Sequence, residues 1–231
     1  MTSLFLPSMI EVEFSNYYKR CANILFNAGF NSFHIDFGDD KFISRKLECW
    51  DKVEFLKGLG PEMKLTAHLM CKSGAHPLSV ETITEKCLEL GFEIIYVHSR
   101  SFESFNKLLK FKDKFFSQAH NIFGLVSELE NKKNQNLIEF ASEHSVKNLL
   151  QMGVPIGKGG QKFGWLALER IKDFDINCPS LSNIELDGGL TFDILKDMKK
   201  CSANRFAGWS IISDQDPLIV LSKANQINNI I

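Results

Sequence analysis

Short apolar runs of strand length alternate with longer segments of helical periodicity from one end of the 231-residue chain to the other. The runs are "SLFLPSMI", "FNSFHIDF", "MKLTAHLM", "FEIIYVHS", "HNIFGLVS", "VKNLLQMG", "LSNIELDG" and "NRFAGWSII", eight in all. Between them lie "NYYKRCANILFNAG", "SVETITEKCLELG", "SFNKLLKFKDKFF", "NQNLIEFASEH", "KFGWLALERIKDF" and "TFDILKDMKKC", several closed by a glycine that suits a helix C-cap. "LECWDKVEFLKGLG" carries a fainter helical pattern, and "DPLIVLSKANQINN" supplies the last helix. Strand and helix alternate eight times, with no long linker and no low-complexity block, which predicts an α/β fold, a (β/α)8 TIM barrel, as one domain over residues 1–231. A doubly wound open sheet is the competing architecture, but no glycine-rich fingerprint follows the first strand.

Composition narrows the partners. The chain carries 27 basic and 28 acidic residues, a formal charge of -1, so its overall field offers no strong attraction to nucleic acid or to an anionic membrane. No apolar stretch is long enough for a membrane helix and the N-terminus lacks a basic start with a small-residue cleavage site, so a cytoplasmic location is expected. Cys21, Cys49, Cys71, Cys87, Cys178 and Cys201 form no CxxC pair, which argues against a zinc finger, a redox motif or a disulfide framework. "KLLKFKDKFF" reads as the solvated face of an outer amphipathic helix.

Candidate chemistry begins in "FHIDFGDD", residues 33 to 40, where a histidine and an aspartate stand two apart at the end of an apolar strand. Side chains two apart on a strand share a face. His34 and Asp36 therefore point together, His68 and Met70 do the same on the third strand, and Glu185 and Asp187 face away from Ile184 and Leu186 on the seventh. Barrels of this kind gather their chemistry at the carboxyl ends of the strands. Two imidazoles and two carboxylates meeting in one mouth form a mixed nitrogen and oxygen donor set, suited to Zn, Fe, Mn or Co as a divalent cation rather than to Ca or Mg. Taken singly, each histidine reads as a hydrogen-bonded core residue and Asp187 as a turn former; their joint placement at equivalent strand ends points to a site. Of the other histidines, His98 ends the fourth strand and faces toward the mouth without an assigned role, and His76, His120 and His144 fall in loops.

Glycines mark a second feature. "GKGGQKF" (Gly157 to Phe163) follows strand six, Gly188 and Gly189 follow strand seven, and Gly208 lies near the end of strand eight. Glycine lets backbone amides approach an anion closely, and the loops after the last two strands are where such barrels often hold a phosphate.

The motifs "PSMI", "HID", "AHLM", "GGQKF", "ELDGG" and "AGWSII" resemble, in order and spacing, those of ribulose-phosphate 3-epimerases, and the likeness runs through nearly the whole chain. The resemblance implies a barrel that binds a ketose phosphate, with a divalent metal cation held by His34, Asp36, His68 and Asp187 and with Ser8 at the substrate. Asp36 and Asp187 would be the acid and base on opposite faces of the ketose: one removes the C3 proton, the cation steadies the enediolate oxygens as a Lewis acid, and the other returns a proton from the far side. D-ribulose 5-phosphate and D-xylulose 5-phosphate are the default pair, and a longer ketose phosphate, such as allulose 6-phosphate or a heptulose phosphate, is the alternative. His68, the thioethers of Met70 and Met152, and Gly157, Gly159, Gly160, Gly188, Gly189, Gly208 and Trp209 are the remaining implied substrate contacts, and a homo-oligomer is expected.

Departures from the family pattern cluster around substrate fit. Gly38 stands where the family has a methionine, which opens the pocket or loosens its loop; "VSELEN" replaces an Asn-Pro after strand five; Trp209 replaces a small serine and narrows the phosphate grip; and Lys158 sits in place of an aromatic. Two other function classes bear comparison. Aldolase or decarboxylase chemistry on the same barrel calls for an Asp-x-Lys-x-x-Asp pattern where this chain reads "HIDFGDD". A non-catalytic sugar-phosphate binder would leave the acids and imidazoles buried without a task, at a desolvation cost.

Overall fold

The computed structural model describes residues 4–9, 12–129, 134–157, 160–198 and 201–231. Strands β1 (Leu4–Pro7), β2 (Ser32–Gly38), β3 (Lys64–Met70), β4 (Ile94–His98), β5 (Phe123–Ser127), β6 (Asn148–Met152), β7 (Asn183–Asp187) and β8 (Arg205–Gly208) are joined in the order β1-β8-β7-β6-β5-β4-β3-β2. Every pairing is parallel. β1 and β2, the two ends of that ladder, lie side by side, so the sheet is a nearly closed barrel.

Around it run α1 (Asn16–Asn27), α2 (Asp40–Ile43), α3 (Trp50–Lys57), α4 (Val80–Glu89), α5 (Phe105–Phe116), α6 (Gln135–Glu143), α7 (Leu166–Asn177), α8 (Phe192–Met198) and α9 (Pro217–Asn228). The TIM barrel expected from the alternating pattern is present, with a strand in each of the eight runs and a helix in each helical segment, the faint one included. The far ends of the first strand run (Ser3, Ile10) and of the "TFDILKDMKKC" helix (Lys199, Lys200) lie outside the described residues. Short polar side chains start several helices: Ser15, Ser79 and Ser104 accept the amides of Tyr18, Thr82 and Lys107, and Asp216 caps α9 ahead of Pro217.

Two boundaries differ from the apolar pattern. β8 stops at Gly208, and Trp209 to Ser213 fold into a turn in which the amides of Ile212 and Ser213 both donate to the Trp209 carbonyl. α7 starts at Leu166 rather than Lys162 because the chain before it is committed elsewhere: the Gly164 amide donates to the Gly153 carbonyl at 2.8 Å, folding the loop after β6 onto the end of that strand.

The period of two sorts the strand side chains into separate environments. Phe33, Ile35 and Phe37 of β2, Leu65, Ala67 and Leu69 of β3, and Ile184 and Leu186 of β7 face outward into the layer between sheet and helices. Ile94, Tyr96, Val126, Leu150 and Met152 form a smaller cluster inside the barrel. Gly124 belongs to that interior: a Cβ there would stand 2.4 Å from Cδ1 of the fully buried Tyr96 ring and 3.2 Å from Asn148 Cβ. Five of the six free cysteines are buried, as ordinary core thiols. No helix among the described residues is long and apolar enough to cross a membrane.

Because the Tyr96 ring has no room to retreat, Gly124→Ala is expected to destabilise the fold by about 1–3 kcal/mol. Urea unfolding checks this, and in a double-mutant cycle with Tyr96→Leu the two losses should fail to add, since the smaller side chain removes the clash.

Candidate functional site

The mouth of the barrel is built from the inward-facing positions of β2, β3, β4 and β7. Registry makes Asp36 and His68 direct cross-strand neighbours, and His34, Asp36, His68 and Asp187 are 1%, 5%, 1% and 9% exposed. One donor atom from each of the four lies within 4.8 Å of the others. The four side chains that the sequence singled out as ligands are thus brought together at one point.

His34, Asp36 and His68 are each held by a defined partner. Asp36 Oδ1 is 2.8 Å from His68 Nδ1 and 3.5 Å from His34 Nε2, and its Oδ2 accepts from Ser8 Oγ at 2.9 Å. Asp187 Oδ2 lies 4.0 Å from His68 Nδ1. His34 Nδ1 is 2.6 Å from Glu185 Oε1, and the other oxygen of that carboxylate accepts from Arg205 Nε at 3.0 Å and from Tyr96 Oη at 3.1 Å. Below the mouth there is therefore a polar layer, fully buried at Glu185, Tyr96 and His34, on which the donor cluster rests.

The electrostatics divide the two aspartates. Burial alone would raise both, but at Asp36 the adjacent His34 and His68 outweigh it and hold the carboxyl well below the usual carboxylate range. Asp187 is pushed up to about 6, by burial first and then by the negative charges of Asp36 and Glu185, against the pull of the imidazoles. His34 is raised well above its ordinary value: burial opposes the charge, and Asp36 and Glu185 more than offset that. Burial works against ionised Glu185 too, and His34 with Arg205 brings it down.

The donor set fits a divalent cation on one specific ground. His34 Nε2 is buried and has no hydrogen-bond partner, while the opposite ring nitrogen is engaged by Glu185. A carboxylate behind an imidazole whose far nitrogen faces a cluster of oxygens is the usual arrangement of a metal-ligating histidine. His34, Asp36, His68 and Asp187 would hold the ion.

Above the cluster opens a cavity of about 280 Å³. Ser8, Met70, Met152, Gly157, Gly160, Gly188, Gly189, Gly208 and Trp209, all expected at the substrate, line it together with Asp36, His68 and Asp187. Gly159, expected there too, and Lys158 lie outside the described residues. The glycines serve close backbone packing: φ is +92° at Gly188 and +71° at Gly189, and a Cβ on Gly189 would sit 2.8 Å from the Phe163 backbone. Among the described residues the amides of Gly189 and Ser210, both on the cavity wall, donate no hydrogen bond. They are available to an anion.

One expectation needs correction. Gly38 does not open the pocket or loosen its loop, because Ile43 fills the space: a Cβ on Gly38 would meet Ile43 Cδ1 at 2.4 Å. Ile43 packs with Phe42, Met70, Leu47 and Ile156, and the Gly38 and Leu47 amides and carbonyls bond reciprocally at 3.2 and 2.8 Å, pinning the loop. Trp209 is half-buried against the core and forms a wall, as expected from its size. The sequence reading did not anticipate Arg45, Val154 or Ile156 on the cavity wall, nor the roles of Glu185, Arg205 and His98. Glu185 and His98 share the inward parity of their strands, and that was the available signal; Arg45 enters from a loop, for which no periodicity exists.

The fold is a parallel TIM barrel with nitrogen and oxygen donors at its mouth and glycine turns at one rim. The model of the ribulose-phosphate 3 epimerase family matches residues 5–212, and the chain belongs to that family. No curated protein matches the sequence. Among solved structures, the chain resembles KGPDC from Streptococcus mutans (12% identity, TM-score 0.66, covering 100% of this chain and 99% of that one). It also resembles orotidine 5'-phosphate decarboxylase from Pyrococcus horikoshii (15%, TM-score 0.64, 97% and 99%). A third likeness is to 3-keto-L-gulonate-6-phosphate decarboxylase from Vibrio cholerae (9%, TM-score 0.64, 100% and 99%). At these identities the likeness is one of fold.

Binding a cation requires Asp187 and His34 to give up protons, so metal affinity must rise with pH. From a carboxyl at about 6, the loss between about pH 7.5 and about pH 5.5 should be roughly fourfold or more. Calorimetric zinc titrations in buffers of different ionisation enthalpy read both the loss and the released protons. The same Asp187 is a stability cost in the metal-free fold: because its folded value lies above the unfolded one, stability is greatest below about pH 4 as far as this group is concerned and falls as pH rises through about 6.

Proposed function

We propose that this protein is a metal-dependent 3-epimerase of a ketose phosphate, with D-ribulose 5-phosphate and D-xylulose 5-phosphate as the default pair and a longer ketose phosphate as the alternative. The observation that carries the reading is the placement of two buried aspartates, Asp36 and Asp187, with His34 and His68 in one cluster whose donor atoms lie within 4.8 Å of one another. A divalent cation, here Zn, Fe, Mn or Co given the imidazole and carboxylate donors, supplies Lewis-acid polarisation of the ketose oxygens when bound.

The protein's own groups then account for the rest. Asp36, ionised and oriented by Ser8, takes the proton from C3. Asp187, on the other side of the cluster, would return a proton to the opposite face of the planar carbon. Inversion at C3 follows from having acid and base on two sides, and the reverse reaction exchanges their roles. Met70 and Met152 wall the reacting carbons with groups that neither donate nor accept protons at neutral pH, and the cavity excludes competing acids there. The amides of Gly189 and Ser210 offer the phosphate its grip at the β7 and β8 rim.

The aldolase and decarboxylase reading is disfavoured by the residues on β2 and after it. Three acidic groups, Asp36, Asp39 and Asp40, and a histidine occupy that end, and no lysine lies among the described residues that line the cavity. A non-catalytic binder is disfavoured by the buried cluster, whose desolvation no binding role offsets.

Incubation with D-ribulose 5-phosphate and with longer ketose phosphates in heavy water should place deuterium at C3 and generate the epimer, and absence of exchange with every ketose phosphate overturns the reading. Asp36→Asn and Asp187→Asn should each lower turnover by about 10²- to 10⁴-fold, the range for loss of a general acid or base. The signature of the pair is asymmetric: with Asp187→Asn, proton loss from one epimer should outlast net conversion, seen as washout of label without product.

A further inference from the structure

His98 is fully buried at the end of β4, beside the cluster, and none of the chemistry above uses it. Its Nε2 lies 2.8 Å from His68 Nε2, the two rings stacking at 5.0 Å and 29°. Its Nδ1 lies 2.5 Å from Oε1 of Glu128, an oxygen that also accepts from Arg100 Nε at 2.8 Å. Glu128 stands just past β5 in "VSELEN", at the place where the sequence departs from the Asn-Pro of the family pattern.

Hydrogen-bond bookkeeping along this row has one consistent solution for a neutral His98. An ionised carboxylate only accepts, so His98 Nδ1 carries the hydrogen and its Nε2 keeps the lone pair. Across the 2.8 Å contact His68 must then be the donor, from Nε2. An imidazole that binds a cation is neutral, so on binding the lone pair of His68 is left on Nδ1, the nitrogen 2.8 Å from Asp36 Oδ1 and 4.0 Å from Asp187 Oδ2.

We propose that Glu128, acting through His98, is a positioning device that locks His68 in its Nε2–H tautomer and so makes Nδ1 the metal-binding atom. The inference rests on the metal site of the proposed function and goes beyond it. Glu185 does the same for His34 in the opposite sense: it engages Nδ1, so Nε2 faces the cluster. The two ligating imidazoles are set in opposite tautomers by two carboxylates, one directly and one through a second ring. Arg100 steadies Glu128 from the solvent side, half-exposed itself.

Zinc-loaded protein labelled with nitrogen-15 tests this without any substrate. Long-range proton–nitrogen spectra should give a metal-bound Nδ1 and a protonated Nε2 on His68, and a protonated Nδ1 on His98. Glu128→Ala and His98→Leu should weaken zinc affinity by about ten- to a hundredfold, as loss of an outer-shell partner does. His98→Gln, whose amide oxygen can still accept from His68 Nε2, should retain most of that affinity, a rescue that a packing role would not predict. Thermal unfolding of the metal-free variants confirms that each one folds. A protonated Nδ1 on His68 in the zinc form, no zinc bound at the cluster, or Glu128→Ala binding zinc as tightly as the parent overturns the proposal. Deuterium exchange at C3 is a separate measurement, so a failed positioning role and a failed epimerase reading give different results.

Discussion

The site depends on the carboxylate of Glu185, which sits inside the barrel with no exposure and joins His34, Tyr96 and Arg205. A lone ion at that depth would be untenable, since the cost of desolvating it far exceeds what most single contacts return. Here both of its oxygens are engaged, one by an imidazole and the other by a guanidinium and a phenol, so the charge is compensated on every side the chain can reach. The consequence is geometric. Arg205 is on β8, Tyr96 on β4 and His34 on β2, so one carboxylate on β7 ties together strands distributed around the whole barrel. The mouth is rigid because the layer beneath it is a closed hydrogen-bonded network.

On that layer the cluster gains its asymmetry. Asp36 and Asp187 are both aspartates at strand ends and both buried, yet they are driven in opposite directions, because Asp36 stands between two imidazoles while Asp187 faces Asp36 and Glu185. Position within a shared electrostatic field, and not residue type, separates the proton affinities of the two carboxyls. The cluster differs from the floor in being incompletely paired: its four donors lie within 4.8 Å of one another, and His34 Nε2 has no hydrogen-bond partner.

Most of the fold was legible because it follows from two periodicities. Phe33, Ile35 and Phe37 alternate with His34 and Asp36, and the alternation alone says that one set meets helices and the other meets the barrel interior. The helix registers and the glycine punctuation then fixed the element order. The meeting of His34, Asp36, His68 and Asp187 was legible for the same reason, since all four share the inward parity of their strands. What escaped was whatever depends on distance across the barrel. Nothing local in "YVHS" and "VSELE" indicates that His98 and Glu128 touch, because they come from adjacent strands and the contact is made by side chains just beyond the paired segment. Arg205 carries no local signal in the sequence, and its contact with Glu185 exists because β8 lies beside β7. Gly38 was misread for a related reason: the residue that fills its space is five positions on, in a one-turn helix too short to leave a periodic trace.

That pairing bears on where specificity can reside. The floor, with Glu185, His34 and Arg205, has no freedom to vary without stranding a buried charge, and the quartet above it is bound to one geometry by its partners. The rim is under no such constraint. Ile43 and Gly38 form one steric unit, Trp209 fills volume that a smaller side chain would leave open, and Arg45 and Ile156 reach the cavity from loops whose conformation the barrel does not dictate. A change in the rim alters the length and polarity of the sugar phosphate that fits while leaving the proton chemistry intact. Of this chain's departures from the family pattern, Trp209 and the Gly38 and Ile43 unit stand at that rim, whereas Glu128 stands behind His98 and bears on the cluster instead.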